Sequence, residues 1–283
     1  MLYVNYEPVE VKHFPAGEQS ILDFNIPIIL ENKVYIDWYY ENDEELVTLI
    51  FITNHIRNLY PDASICLNMP YIPHARMDRV KNTKEVFTLK YFTQVINSLN
   101  FDQVFTADAH SNVSEALINR IVNVDISEII KKVINECYQQ SASYNDLVIY
   151  FPDAGAYKRY TGLECFKDIK MVYGEKIRNW ETHRIEGLNV VTNGVDLTNK
   201  NILMIDDIIS YGGTFYHSAN KLKELSVKRI YAYATHVENE MLNEEKGTFI
   251  KSLKDGTVTK LFTTNSIFKE ENTTDYIDII HKF

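Results

Sequence analysis

Long apolar runs are missing from this 283-residue sequence. No stretch of about eighteen consecutive apolar residues occurs, so no membrane-spanning helix is expected. Cysteine is scarce. Cys66, Cys137 and Cys165 are widely spaced and odd in number, which excludes a metal box or a disulfide framework. A reducing cytoplasm is the expected setting. An excess of positive charge is also absent: 29 Lys and Arg stand against 39 Asp and Glu, for a net charge of −10. That balance argues against a general nucleic-acid binder. A small anionic substrate would need a local basic cluster and a divalent cation, because the overall field repels it. There is no Pro/Gly/Ser linker, no short-period repeat and no low-complexity tract. The opening Met-Leu-Tyr-Val-Asn-Tyr-Glu has no basic start followed by an apolar stretch, so no secretory signal is expected.

What is present is an apolar fraction of 45%, enough for a real core. Leu46, Leu49, Ile50, Ile56 and Leu59 fall near helical spacing over 45–59. Val86, Leu89, Phe92, Val95, Ile96 and Leu99 do so over 84–99. Short apolar strands are predicted over 63–69 and 101–107, then over 146–151, 170–173, 201–205 and 230–235, with a helix over about 213–225. Strands alternating with helices imply mostly parallel sheets covered on both faces. The chain reads as two similar α/β domains, 1–125 and 126–267, with the tail 268–283 a candidate to pack back on the first. Ligands of such sheets sit at the carboxyl ends of the strands.

One loop carries the most chemistry. After the predicted strand ending at Ile205 come Asp206 and Asp207, then Ile-Ile-Ser210-Tyr211-Gly212-Gly213-Thr214. Two glycines permit backbone geometry that other residues resist. Their N–H groups, at the start of a helix, suit an anion. The two carboxylates accept only, which suits sugar hydroxyls. The sequence at 206–214 is therefore built for a phosphorylated ribose. The bland alternative is a helix start with stray acids.

This loop resembles that of type I phosphoribosyltransferase folds, and further segments narrow the resemblance to the ribose-phosphate pyrophosphokinases (phosphoribosyl pyrophosphate synthetases). Pro70-Tyr71-Ile72-Pro73-His74-Ala75-Arg76-Met77-Asp78-Arg79 is similar to that family's Pro-Tyr-x-x-Tyr-Ala-Arg-Gln-Asp-Arg. Asp108-Ala109-His110 resembles its Asp-Leu-His. Pro152-Asp153-Ala154-Gly155-Ala156-Tyr157-Lys158-Arg159 resembles its Pro-Asp-x-Gly-Gly-x-x-Arg. Glu175-Lys176-Ile177-Arg178 falls where the family has a Lys-x-Arg loop, and Thr263-Thr264-Asn265-Ser266-Ile267 matches a late strand. The segments keep the family's order and spacing from about residue 10 to 267. The resemblance implies two tandem type I phosphoribosyltransferase-like domains, each a mostly parallel sheet flanked by helices.

It also implies a reaction: the β,γ-pyrophosphate of ATP moves to the anomeric hydroxyl of ribose 5-phosphate, and AMP leaves. By that resemblance Lys176 and Arg178 are the catalytic pair on a mobile loop. His110 is catalytic and, with Asp153, a metal position for Mg²⁺. Arg76 and Asp78 belong to the ATP-binding segment. Phe14 and Glu18 match an adenine-contacting Phe-Ser-Asp-Gly-Glu segment. Asp206, Asp207, Ser210, Tyr211, Gly212, Gly213 and Thr214 hold the ribose phosphate. Taken from the residues alone, Lys176 and Arg178 read equally as a solvated basic pair, His110 as a structural histidine and Phe14 as a core ring beside a turn. Homo-oligomers, dimers or hexamers, are implied as well.

The departures cluster on substrate recognition. The family loop reads Asp-Asp-x-x-Asp-Thr-x-Gly-Thr, whereas here Ser210 replaces the third acid and Tyr211 the small hydroxyl. Ala16 replaces an Asp or Asn, and Met77 a Gln. Such changes around a retained chemistry set suggest an acceptor whose phosphate carries a further group, such as ADP-ribose. The alternatives are an inactive regulatory relative of the synthetase, or a phosphoribosyltransferase.

Overall fold

The structure is a computed structural model that describes residues 1–22, 24, 26, 32–139, 146–178 and 185–283; the side chains of 176–178 and 185–186 lie outside that description. The chain divides into two compact units, Met1–Asp125 and Ile126–Phe283.

The first unit opens with four short strands, β1 (Leu2–Val4), β2 (Glu7–Pro8), β3 (Lys12–His13) and β4 (Gln19–Ser20). It continues with β5 (Lys33–Trp38), α1 (Glu44–Leu59), β6 (Ser64–Asn68), α2 (Thr88–Ser98), β7 (Gln103–Ala107), α3 (Asn112–Leu117) and β8 (Ile121–Val124). The sheet order is β2-β1-β5-β6-β7-β8. β5 to β8 are parallel, and β1 and β2 extend the edge antiparallel. In α2, Leu89, Phe92, Thr93 and Ile96 are buried, a stripe at the 3.6-residue period that pins the helix to the sheet. The helix starts at Thr88 instead of 84, because residues 81–85 fold as turns and bends ahead of it.

The second unit holds α4 (Ser127–Gln139), β9 (Leu147–Phe151), α5 (Ala154–Tyr160), β10 (Lys170–Arg178), β11 (Ile185–Val191) and β12 (Asn201–Ile209). After these come α6 (Gly213–Glu224), β13 (Arg229–Val237), α7 (Phe249–Lys254), β14 (Lys260–Thr264) and β15 (Ile277–His281). Its sheet order is β11-β10-β9-β12-β13-β14-β15. Among its described strand pairs, only β10–β11 is antiparallel. All of β9 and nearly all of β12 and β13 are buried, as expected of central strands covered on both faces.

Three expectations need correction. The tail 268–283, read as a candidate to pack on the first unit, falls within the second. It adds β15 in parallel to β14 of the second sheet, where the buried Phe268 and Ile277 join the second core. The strand predicted to end at Ile205 runs to Ile209, so the acid pair lies within it. The segment 175–178, expected as a loop, has the backbone of a strand, with Lys176 opposite Leu188. Cross-strand pairing with a later segment is not visible in local sequence. Among the described residues no helix is long and apolar enough to cross a membrane.

Candidate active site

The carboxyl ends of β9 and β12 are neighbours in the second sheet, since Asn201–Met204 pairs with Leu147–Tyr150. A buried hydrogen bond from Tyr150 in β9 to Ser218 in α6, 3.0 Å, ties the helix to the strand beneath both loops. Phe151 is stacked on Tyr160 at 5.9 Å between ring centroids and meets Phe166 edge-on, anchoring α5 below its loop. Asp153 follows directly and caps α5, its Oδ1 accepting from the N–H groups of Gly155 at 2.9 Å and Ala156 at 3.1 Å.

The acid pair on β12 is not a pair of equivalents. Successive residues of a strand point to opposite faces. Asp207 is 3% exposed and forms an ion pair with Arg159 of α5 at 2.5 Å. Asp206 accepts from the Asp207 backbone N–H at 3.0 Å. Burial, followed by the charges of Asp207 and Asp153, pushes the Asp206 carboxyl well above its ordinary value of 3.8. Three carboxylates thus crowd the ends of two adjacent strands, and Arg159 offsets only part of their charge.

After Ile209 the chain turns sharply. Gly212 has φ +78° and caps α6 from the left-handed region. A Cβ there would lie 2.3 Å from the Phe249 Cβ, so only glycine lets the loop approach α7 this closely. The Tyr211 carbonyl accepts from the Thr248 N–H at 3.0 Å. The Ser210 hydroxyl donates to the Glu238 carboxylate. The first N–H groups of α6, from Gly213 and Thr214 onward, have no carbonyl one turn before them within the helix. Tyr211, on the same turn, is 41% exposed.

In the first unit, Asp78 is buried and held by a two-pronged ion pair with Arg79, at 2.7 and 2.9 Å. The Arg79 guanidinium, with smaller help from Ser111 and His110 and against the effect of burial, holds the Asp78 carboxyl below its ordinary range. The Pro70–Arg79 and Asp108–His110 segments therefore meet. Asp108 has φ +49°, a conformation uncommon outside glycine, at the turn that leads to His110. Phe14 and Glu18 flank the β3–β4 turn, closed by the Phe14 N–H to Glu18 carbonyl bond at 2.9 Å. The reading of Phe14 as a core ring fails, because it is 56% exposed. Gln19 reaches the Glu44 carbonyl at 3.0 Å, and His74 lies 3.2 Å from Asp43. The turn and the segment before Arg76 thus both anchor at the start of α1. Arg76 is exposed.

His110 belongs to the first unit and Asp153 to the second. Among the described residues no group of three or more His, Cys, Asp or Glu is placed to hold a metal. The side chains of Lys176 and Arg178 lie outside the described residues. Arg159 and Glu238 were not singled out in the sequence. Arg159 could have been, since it ends the Pro-Asp-x-Gly-Gly-x-x-Arg pattern. Glu238 had no local signal.

No family model matches the chain. The ribose-phosphate pyrophosphokinase of Thermococcus kodakarensis is 28% identical over 231 residues, covering 81% of this chain and 77% of its own. That of Pyrococcus abyssi is 27% identical, covering 97% of this chain and 89% of its own. Among solved structures, the phosphoribosylpyrophosphate synthetase of Mycobacterium smegmatis superposes with a TM-score of 0.74 at 16% identity. That superposition covers 97% of this chain and 86% of that one, and it shows a shared fold. Two mostly parallel sheets flanked by helices, with the acids of the second on its strand ends, define an α/β protein with the fold of that synthetase. Within that class, the sequence likeness along most of both chains is to ribose-phosphate pyrophosphokinases.

Proposed function

We propose that the protein is an Mg²⁺-dependent pyrophosphokinase. It takes the β,γ-pyrophosphate of ATP, transfers it to the anomeric 1-hydroxyl of a ribose 5-phosphate-type acceptor, and releases AMP. The observation that carries this reading is the arrangement at the end of β12, where Asp206 and Asp207 precede the left-handed Gly212 and the start of α6. In the reaction the acceptor's O1 attacks the β-phosphorus, the bond from that phosphorus to the α-phosphate bridging oxygen breaks, and the hydroxyl proton is lost to solvent. Positioning and electrostatics supply most of the catalysis.

The roles divide by unit. Phe14, Glu18, Arg76 and Asp78 take ATP, with Phe14 stacking on the base. Asp206 accepts from the ribose hydroxyls, Asp207 keeps Arg159 in place, and residues 210–214 take the phosphate. Lys176 and Arg178 steady the charge on the transferred group, and His110 contacts phosphate directly or through water. The carboxylates suit Mg²⁺, which prefers oxygen ligands and commonly takes one or two carboxylates together with substrate phosphates. Asp153 is the proposed metal position of the second unit and His110 that of the first. Bound there, the cation would neutralise phosphate charge. The protein is expected in the cytoplasm as a homo-oligomer, with neither nucleic acid nor membrane as a partner.

Two acceptors fit the reading: ribose 5-phosphate, giving phosphoribosyl pyrophosphate, and ADP-ribose, giving ADP-ribose 1-pyrophosphate for NAD salvage. The second is favoured by the exposed Tyr211 ring on the loop, where a compact cup for a terminal phosphate would call for a small side chain. The test is AMP release and product mass with Mg²⁺-ATP and each acceptor in turn. AMP with neither would refute the pyrophosphokinase reading for these acceptors. AMP with ribose 5-phosphate alone would refute the extended acceptor.

A further inference from the structure

β12 and β13 run in parallel register, with Ile208 beside His236 and Ile209 beside Val237. The next residues, Ser210 and Glu238, therefore leave the carboxyl edge of the sheet side by side. Glu238 is fixed along its backbone: its N–H donates to the Ile209 carbonyl at 2.8 Å, and its carbonyl accepts from the Met241 N–H at 3.0 Å. Its carboxylate accepts from the Ser210 hydroxyl. Parallel strands lie about 4.8 Å apart, a gap that a glutamate's two methylenes can cross.

The loop pattern that this segment resembles carries an acid where Ser210 stands. We propose that Glu238 supplies in space the carboxylate that position 210 lacks in sequence, and that it is a positioning residue of the ribose-phosphate loop. The inference rests on the pyrophosphokinase reading for its assay but on the Ser210–Glu238 bond for its substance. Three ties set the turn from its two sides: Glu238 N–H to the Ile209 carbonyl, Ser210 hydroxyl to the Glu238 carboxylate, and Thr248 N–H to the Tyr211 carbonyl. The first two come from one residue. Without its carboxylate, Ser210 loses its acceptor and the approach to Gly212 loosens just ahead of the first N–H groups of α6. The Ser210 proton is already committed to Glu238, so this hydroxyl cannot also donate it to a phosphate. Ser210 serves the site through the shape of the turn.

The experiment compares the full-length wild type with Glu238→Ala, Ser210→Asp and the double variant Ser210→Asp/Glu238→Ala. Acceptor KM and ATP KM are measured separately from AMP release. Glu238→Ala is expected to raise the acceptor KM about tenfold, equivalent to about 1.4 kcal/mol, and to leave the ATP KM unchanged. The double variant, with the acid back on the loop, is expected to recover most of that loss. An unchanged acceptor KM in Glu238→Ala, or a double variant no better than Glu238→Ala, would overturn the proposal. Glu238→Leu, which keeps the bulk but offers no acceptor to Ser210, replaces Glu238→Ala should the latter not fold, and a rise in acceptor KM is again required. If the wild type releases no AMP, the pyrophosphokinase reading fails by itself. Amide hydrogen exchange over residues 210–214 then decides the pairing: faster exchange in Glu238→Ala, restored in the double variant, supports it, and unchanged exchange rejects it.

Discussion

Asp207 and Phe14 are both proposed to serve phosphate chemistry, yet they are held in opposite ways. Asp207 sits on a central strand, is 3% exposed, and is paired with an arginine from the neighbouring helix. Phe14 stands on a five-residue turn between two-residue strands, 56% exposed. The acid belongs to the core as much as to the site, so function and stability are coupled there. The ring contributes little to the fold and can vary without cost to it. Groups that must hold charge in a fixed place lie on the sheet, and a group that meets a flat base lies on a turn.

The sharpest way to break this comparison is Asp207→Ala. Turnover should fall by about 10²–10³-fold, the usual cost of losing a charge-placing group. Stability should also fall by about 3–5 kcal/mol, because Arg159 is left without its buried partner. AMP release and urea denaturation read the two effects, and a large loss of rate at full stability would show that the pair is not structural. Gly212→Ala comes next. The added methyl would meet Phe249 and the left-handed backbone would be strained, for a cost of about 2 kcal/mol or more. A melting temperature equal to wild type would disprove the close packing. Phe14→Ala should raise the ATP KM roughly tenfold if stacking contributes about 1.4 kcal/mol, with stability unchanged within about 0.5 kcal/mol. A drop in stability without a change in ATP KM would reverse its assignment.

The smallest effect concerns Asp78. Its folded-state pKa lies below its ordinary 3.8, so its contribution to stability is fully present above pH 3.8 and is lost as the pH falls through the folded value. Asp78→Asn should therefore be less stable than wild type at neutral pH, and the gap should close below pH 3.8. A gap that persists at pH 2 would locate the effect in packing and not in charge.

Much of the second unit was legible in the sequence, because its strands are apolar and alternate with helices. The turn after β12 was legible because glycine and paired acids are rare together at a strand end. The unread parts depend on partners distant in sequence. β10 runs past Tyr173 because β11 covers it, and β15 joins the second sheet because β14 offers it an edge. The opening strands of the first unit are two or three residues long, apart from β5, too short for a periodic signal. Likewise, Ser210 reads as the loss of an acid until the next strand shows Glu238 beside it.

Gly174 carries one last consequence. β10 pairs with β9 only as far as Tyr173 and from there with β11 alone. A Cβ on Gly174 would come within 2.4 Å of the Tyr150 hydroxyl and 2.7 Å of the Pro152 carbonyl. The residue after Pro152 is Asp153, and two positions after Gly174 is Lys176. A single missing methyl thus acts as the spacer between the stretch that carries the proposed metal ligand and the hairpin that carries the proposed catalytic cations. Any side chain at 174 would wedge the two apart and miscalibrate both together, far from either group's own atoms.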